Sequence, residues 1–169
     1  MRVFGLAGWS GSGKTTLLTA LIPELVSRGI TVSTLKHAHH TFDVDHPGKD
    51  SWRHRQAGAR EVMISSQNRW ALMHELRGER EPTLEELVRR MSPADLLLVE
   101  GFKHYTHPKI EVYRPSLGKP LLHPEDPSVV AIASDEMMPG LSLPWLPRSD
   151  ISAVATFILG HGECHRWPS

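Results

Sequence analysis

The chain is nearly devoid of cysteine. Cys164 stands alone among 169 residues, which excludes an intramolecular disulfide framework and a thiolate zinc site and fits a reducing, cytoplasmic compartment. A charge excess is also missing. Nineteen lysines and arginines face nineteen aspartates and glutamates, without the basic surplus of a nonspecific nucleic-acid binder. No stretch approaches ~18 uninterrupted apolar residues, so no membrane-spanning helix is expected. Met1 to Ala7 has no long apolar run behind its basic residue, so no signal peptide is read. What is present is 40% hydrophobic and 22% charged residues, the balance of a folded globular chain. The length suits one domain with a proper core. Eleven histidines are the one compositional oddity.

Arg2 to Ala7 is a short apolar run ending at Gly8 and reads as a buried strand. From Lys14 the apolar positions recur at helical spacing through Leu17, Leu18, Leu21, Ile22, Leu25 and Val26, with Gly29 as punctuation and a kink expected at Pro23. Thr31 to Lys36 is the next strand, so the segment is a βαβ unit and implies a parallel sheet. His37 to Lys49 is aperiodic and reads as a loop. Asp50 to Gly58 is a short helix capped by Asp50 or Ser51. Glu61 to Ser65 and Trp70 to Leu76 are strands of a hairpin turning at Ser66-Gln67-Asn68. Thr83 and Glu86 form a capping box for a helix carrying Leu84, Leu87, Val88 and Met91. Leu96 to Val99 is a continuous apolar strand of the kind buried on both faces. Lys109 to Tyr113 and Val129 to Ala133 are further strands, Pro115 to Pro127 a rigid loop, and Asp150 precedes a last helix, Ile151 to Leu159. The expected fold is α/β: a mostly parallel sheet flanked by helices, with an additional hairpin. One domain is expected over 1–160, followed by a flexible tail at 161–169.

Gly8-Trp9-Ser10-Gly11-Ser12-Gly13-Lys14-Thr15 matches G-x-x-x-x-G-K-[ST] in full, between a strand and a helix as a P-loop NTPase requires. Glycines let successive N–H groups curl toward phosphate oxygens, and the positive end of the following helix adds to the field. Trp9, Ser10, Gly11, Ser12, Gly13, Lys14, Thr15 and Thr16 are therefore the expected phosphate contacts. Lys14 reaches the terminal phosphates, Thr15 ligates Mg²⁺, and Thr16 donates to a phosphate. Trp9 stands where some dimer-switch ATPases carry an extra lysine, so no lysine finger is expected.

A second acid must serve the metal. Asp95 precedes its strand and sits at the wrong end of the sheet. Glu100 follows at the carboxyl end, where ligands bind in open α/β sheets, and is the choice, acting through a metal-bound water. The loop Lys36 to Ser51 lies at the same edge and resembles a switch loop ordered by γ-phosphate and Mg²⁺. In it Asp43, Asp45 or Asp50 are candidates to complete the metal shell, Asp45 foremost. Lys49, Arg53, Arg55 and Arg60 are candidates for anionic groups. His37, His39 and His40 read better as hydrogen-bonding side chains than as zinc ligands. The N-K-x-D base-reading motif is absent. Asp135, after Val130 to Ser134, is the candidate acceptor for the guanine amines.

These blocks together resemble the molybdopterin-guanine dinucleotide biosynthesis protein B family, from about Val3 to Asp135. The P-loop with Trp9 is one block. The second is Lys36-His37-Ala38-His39-His40 through Asp43, Asp45 and Pro47 to Ser51, on to Arg55 and Ala57-Gly58-Ala59. Arg69 to Met73 and Leu98-Val99-Glu100-Gly101-Phe102-Lys103 complete the set. The resemblance implies a GTP-binding adaptor with Mg²⁺ and weak GTPase activity, homodimeric through extra strands. It further implies a partner, the guanylyltransferase that joins GMP to molybdopterin. A carrier of molybdopterin itself, with Arg69 to Met73 as a pterin or partner surface, is a variant of this reading. The competing reading is a small ATP-dependent kinase or ligase on the same scaffold, in the manner of dethiobiotin synthetase; base preference separates the two. Slow turnover fits the residues, since fast GTPases need a positioned water and an arginine, and neither Gln56 nor Gln67 sits beside a recognisable switch motif.

Overall fold

A computed structural model describes residues 1–38, 42–102, 104–161 and the backbone of 165–166. In chain order the elements are β1 (Arg2–Ala7), α1 (Lys14–Ser27), β2 (Val32–Lys36), α2 (Asp50–Gln56), β3 (Glu61–Ser65) and β4 (Trp70–His74). There follow α3 (Leu84–Val88), β5 (Leu96–Glu100), β6 (Lys109–Val112), β7 (Val129–Ser134), β8 (Trp145–Pro147), α4 (Ile151–Gly160) and β9 (His165–Arg166). Contacts divide the chain into two compact units, residues 1–37 with 84–169 and residues 38–83.

The larger unit is built on one sheet in the order β2-β5-β1-β6-β7-β8. All five of these pairings are parallel, and β9 adds an antiparallel pairing to Arg2 and Val3. β5 explains the two-sided burial. Every residue from Leu96 to Glu100 is buried. Strand alternation sends Leu96 and Leu98 into a core with Leu17, Leu21 and Leu25 of α1 and Val154 and Ile158 of α4. Leu97 and Val99 join Val3, Leu84, Val88 and Phe102 on the opposite face. A strand covered on both faces reads as an unbroken apolar run, as this one does.

Parallel strands end at one edge. Gly8, His37, Gly101, Tyr113, Asp135 and Arg148 each follow directly on a strand of this sheet, so topology alone gathers them at its carboxyl edge.

Several sequence expectations change in detail. α1 continues through Pro23 to Ser27. The cap position of α2 is Lys49, with no side-chain capping bond, and Asp50 lies inside the first turn, where its charge complements the helix dipole. β4 ends at His74, α3 is a single short turn and a half, and β8 is a strand the sequence reading lacks. The Asp150 cap is formed: its carboxylate accepts from Ala153 N at 2.9 Å. β9 falls within the stretch expected as a tail. Cys164, His39, His40 and Lys103 lie outside the described residues. Among the described residues no helix is long and apolar enough to cross a membrane.

The smaller unit holds α2 and the β3–β4 hairpin. Val62 and Met73 pair across the hairpin and are buried, whereas the next pair, Met63 and Leu72, faces outward and is exposed.

Candidate functional site

The loop between β1 and α1 is shaped by close backbone approach. Gly8 has φ 143°, and a Cβ there would overlap the Val112 carbonyl oxygen. Gly13 has φ 97° and caps α1, and a Cβ there would overlap Arg148 Nη1. Glycine is required at Gly8 on conformational and steric grounds and at Gly13 for its left-handed backbone. α1 starts at Lys14, so its unpaired N–H groups and positive dipole end are presented at the loop. Lys14 Nζ donates to the carbonyls of Gly8 and Trp9, each at 2.8 Å. Neutral carbonyls are weaker acceptors than phosphate oxygens, so a triphosphate competes for this ammonium on favourable terms.

Thr15 donates from Oγ1 to Glu100 Oε1 at 2.8 Å. The sequence placed both on the metal, and the fold brings them together from α1 and the end of β5. Lys36 Nζ lies 3.9 Å from the same oxygen on a largely exposed side chain. The other oxygen, Glu100 Oε2, is buried with no hydrogen-bond partner among the described residues, as is Ser12 Oγ. A hydroxyl beside a carboxylate with a spare oxygen is the hard-oxygen donor set that Mg²⁺ takes, with water completing the shell. The residues present therefore fit the ion. Past Glu100 the chain turns through Gly101 (φ 94°) and Phe102 (φ 48°). Phe102 adopts a left-handed conformation rare for a bulky residue and packs its ring 4.6 Å from that of His37.

The proline-rich segment leans on the loop. Trp9 Nε1 donates to Pro120 O at 2.7 Å, and Lys119 Nζ stands 5.7 Å above the Trp9 ring. Glu111, fully buried, anchors the segment by accepting from Leu122 N at 2.8 Å and His123 N at 3.0 Å. Buried Lys109 pairs with Asp126 at 2.9 Å. Burial raises the Asp126 pKa, but bonds from Lys109 and Ser128 outweigh it and the net shift is downward.

Asp135 follows β7 as expected, but its carboxylate is already gripped. Arg148 Nε and Nη2 donate to its two oxygens at 2.9 and 2.7 Å, and Arg148 Nη1 donates to Ser12 O at 3.0 Å. Sequence reasoning missed Arg148, which follows the three-residue strand β8 and meets a loop 136 positions away. Only the register of β7 on β8, Ser134 opposite Pro147, would have revealed it.

Asp43, Asp45 and Arg55 belong to the smaller unit and form their own network. Arg55 bonds to Asp43 at 2.8 Å, Asp45 at 3.4 Å and Glu75 at 3.1 Å. Asp45 Oδ1 accepts from His46 N and Ser51 Oγ. The Asp45 backbone N–H, then the Arg55 guanidinium, holds the Asp43 carboxyl below the usual range. Asp43, followed by Glu75, raises the pKa of Arg55 in turn. Asp45 is thus a ligand in an internal network, and Arg60 is engaged with Glu79 at 2.7 Å.

Comparison with known proteins bears on this arrangement. The family model for molybdopterin guanine dinucleotide synthesis protein B matches residues 3–135. The chain belongs to this family. It is 46% identical over 163 residues to the molybdopterin-guanine dinucleotide biosynthesis adapter protein of Escherichia coli K12, covering 93% of this chain and 91% of that one. The adapter protein of the same description from Haemophilus influenzae is 46% identical over 136 residues, covering 79% and 74%. Among solved structures, a molybdopterin-guanine biosynthesis protein B superposes with a TM-score of 0.73 at 28% identity, covering 94% of this chain and 98% of that one. The Bacillus subtilis family member superposes equally well, at 0.73, with 24% identity over 96% of this chain and all of that one, and supports the fold. The P-loop α/β architecture read from the sequence is that of the family.

Proposed function

We propose that this chain is an adapter in molybdopterin-guanine dinucleotide biosynthesis that binds GTP with Mg²⁺ and hydrolyses it slowly. It acts beside a partner guanylyltransferase, as a cytoplasmic homodimer. The adapter role follows the family and the relatives named above. The observation that carries nucleotide binding is the 2.8 Å contact of Thr15 Oγ1 with Glu100 Oε1 at the mouth of a complete phosphate loop. In this reading Ser10 to Thr16 cradle the phosphates, Thr15 holds Mg²⁺ directly, and Glu100 holds it through water. The ion supplies charge neutralisation on the phosphates. Trp9 and Lys119 flank the cradle, and Asp135 accepts from the guanine amines.

Slow turnover follows from how the arginines are held. Fast hydrolysis needs a transition-state arginine and an oriented water. Arg148 is anchored to the Ser12 carbonyl, and Arg55 is engaged by three carboxylates within the smaller unit. A partner that supplies or frees such a group accelerates the reaction.

Calorimetry with GTP and Mg²⁺ tests this reading. Lys14→Ala removes a charge-assisted contact worth about 1.5–3 kcal/mol, or roughly tenfold to 150-fold in affinity. Unchanged binding overturns the cradle assignment. Equal hydrolysis rates with and without the guanylyltransferase, at saturating GTP, overturn partner-dependent turnover.

A further inference from the structure

The Arg148–Asp135 contact is a fork-on-fork pair: two N–H donors sharing one carbon meet the two oxygens of one carboxylate. Guanine presents the same fragment. Its N1–H and its N2 amine share the carbon C2, a guanidine in all but name. Adenine has no such edge. A carboxylate offers its two forward lone pairs to one fork at a time, so the two guanidines are mutually exclusive on Asp135. We infer that Arg148 occupies the guanine-reading face of Asp135 as an internal surrogate for the base, and that it thereby sets the guanine-over-adenine preference of the site. The inference rests on the nucleotide reading above.

The placement supports this role. The Asp135 side chain is half exposed and that of Arg148 mostly covered, so the carboxylate remains open to a ligand. Arg148 is held by its backbone, and Asp135 follows a residue fixed by its side chain. Arg148 N donates to Ser134 O at 3.0 Å. Buried Ser134 donates from Oγ to Glu136 O at 2.5 Å and accepts from Trp145 Nε1 at 2.9 Å. Because Arg148 Nη1 also holds the Ser12 carbonyl, the residue that fills the base face touches the phosphate loop as well. Guanine binding releases the Asp135 half of that bridge, and ATP leaves it in place.

The test is the ratio of GTP to ATP affinity, measured by competition on the full chain. Arg148→Ala frees Asp135 for guanine and raises the ratio roughly twofold to fivefold, the scale of a partly exposed ion pair. Loss of the Ser12 contact alone weakens both nucleotides equally and leaves the ratio unmoved. Arg148→Lys keeps a cation for Ser12 but loses the fork, and it too raises the ratio, which covers the case where the alanine variant does not fold. Asp135→Asn lowers GTP affinity and gains binding of XTP. The amide pairs with xanthine's N1–H and O2, a switch that a structural role would not produce. In the Asp135→Asn background the effect of Arg148→Ala on the ratio disappears. A ratio unchanged or lowered in both Arg148 variants overturns the surrogate while Lys14-dependent GTP binding stands. Nucleotide binding indifferent to Lys14 fails the earlier reading instead.

Discussion

Glu100 and Glu111 flank the same strand. One lies opposite Leu6 and the other opposite Ala7 of β1, both close to the carboxyl edge of the sheet and both buried. Residue type, burial and height along the sheet are matched, yet the side chains alternate to opposite faces and the two carboxylates are held differently. Glu111 spends both oxygens on backbone N–H groups of Leu122 and His123, partners that cannot rotate away. Glu100 spends one oxygen on the Thr15 hydroxyl, which can turn, and has Lys36 at 3.9 Å on an exposed stem; its second oxygen is unsatisfied among the described residues. A buried carboxylate with its lone pairs fully used is a structural brace. One with a lone pair to spare and a rotatable neighbour is the donor set that the proposed Mg²⁺ role calls for.

The contrast breaks most directly at Glu111. Glu111→Ala strands two partly buried backbone donors and releases the proline-rich segment, so chemical denaturation should show a loss of about 2–4 kcal/mol. Glu100→Gln keeps an acceptor for Thr15 and removes a buried charge that is only half paired, so stability should move by about 1 kcal/mol or less. Its effect appears in calorimetry, where the gain in GTP affinity on adding Mg²⁺ is lost. Should Glu100→Gln destabilise the fold as much as Glu111→Ala while leaving the Mg²⁺ dependence intact, Glu100 is a second brace and the comparison collapses.

The sequence reveals the two carboxylates unequally, and the reason is physical. Glu100 is legible because it closes Leu96 to Val99, a run whose burial on both faces announces a central strand. Its place after that strand puts it at the carboxyl edge of the sheet. The phosphate loop is legible because its glycines answer local conformational demands, such as Gly13 at φ 97°. Glu111 looks like an ordinary polar position in Lys109 to Val112, since its partners are main-chain groups more than ten residues on. Arg148 is silent for the same reason at greater range: its contacts depend on β7 and β8 lying side by side, and Trp145–Pro147 is too short to show periodicity. Local rules carry the loop and the central strands; pairings between distant segments carry the rest.

Asp95 supplies the finest test of the same distinction. The sequence reading set it aside as a metal acid because it precedes β5, and the structure gives it work at that opposite edge. Its Oδ2 accepts from Thr31 Oγ1 at 2.6 Å and from Thr31 N at 2.9 Å, tying the start of β5 to the start of β2. The Thr31 hydroxyl bond, then the Thr31 backbone N–H, outweighs burial and holds the carboxyl below its usual range. A carboxyl whose folded pKa lies below the unfolded value of about 3.9 adds stability above that value, and the contribution is lost as pH falls through the folded pKa. Asp95→Asn should therefore lower the denaturation midpoint slightly at pH 6, with the gap to the wild type closing as pH approaches 3. Its GTP and Mg²⁺ binding should match the wild type. A gap that stays constant with pH would show that the tie to Thr31 owes nothing to the charge, and a loss of Mg²⁺ dependence would move the metal acid from Glu100 to the far edge of the sheet.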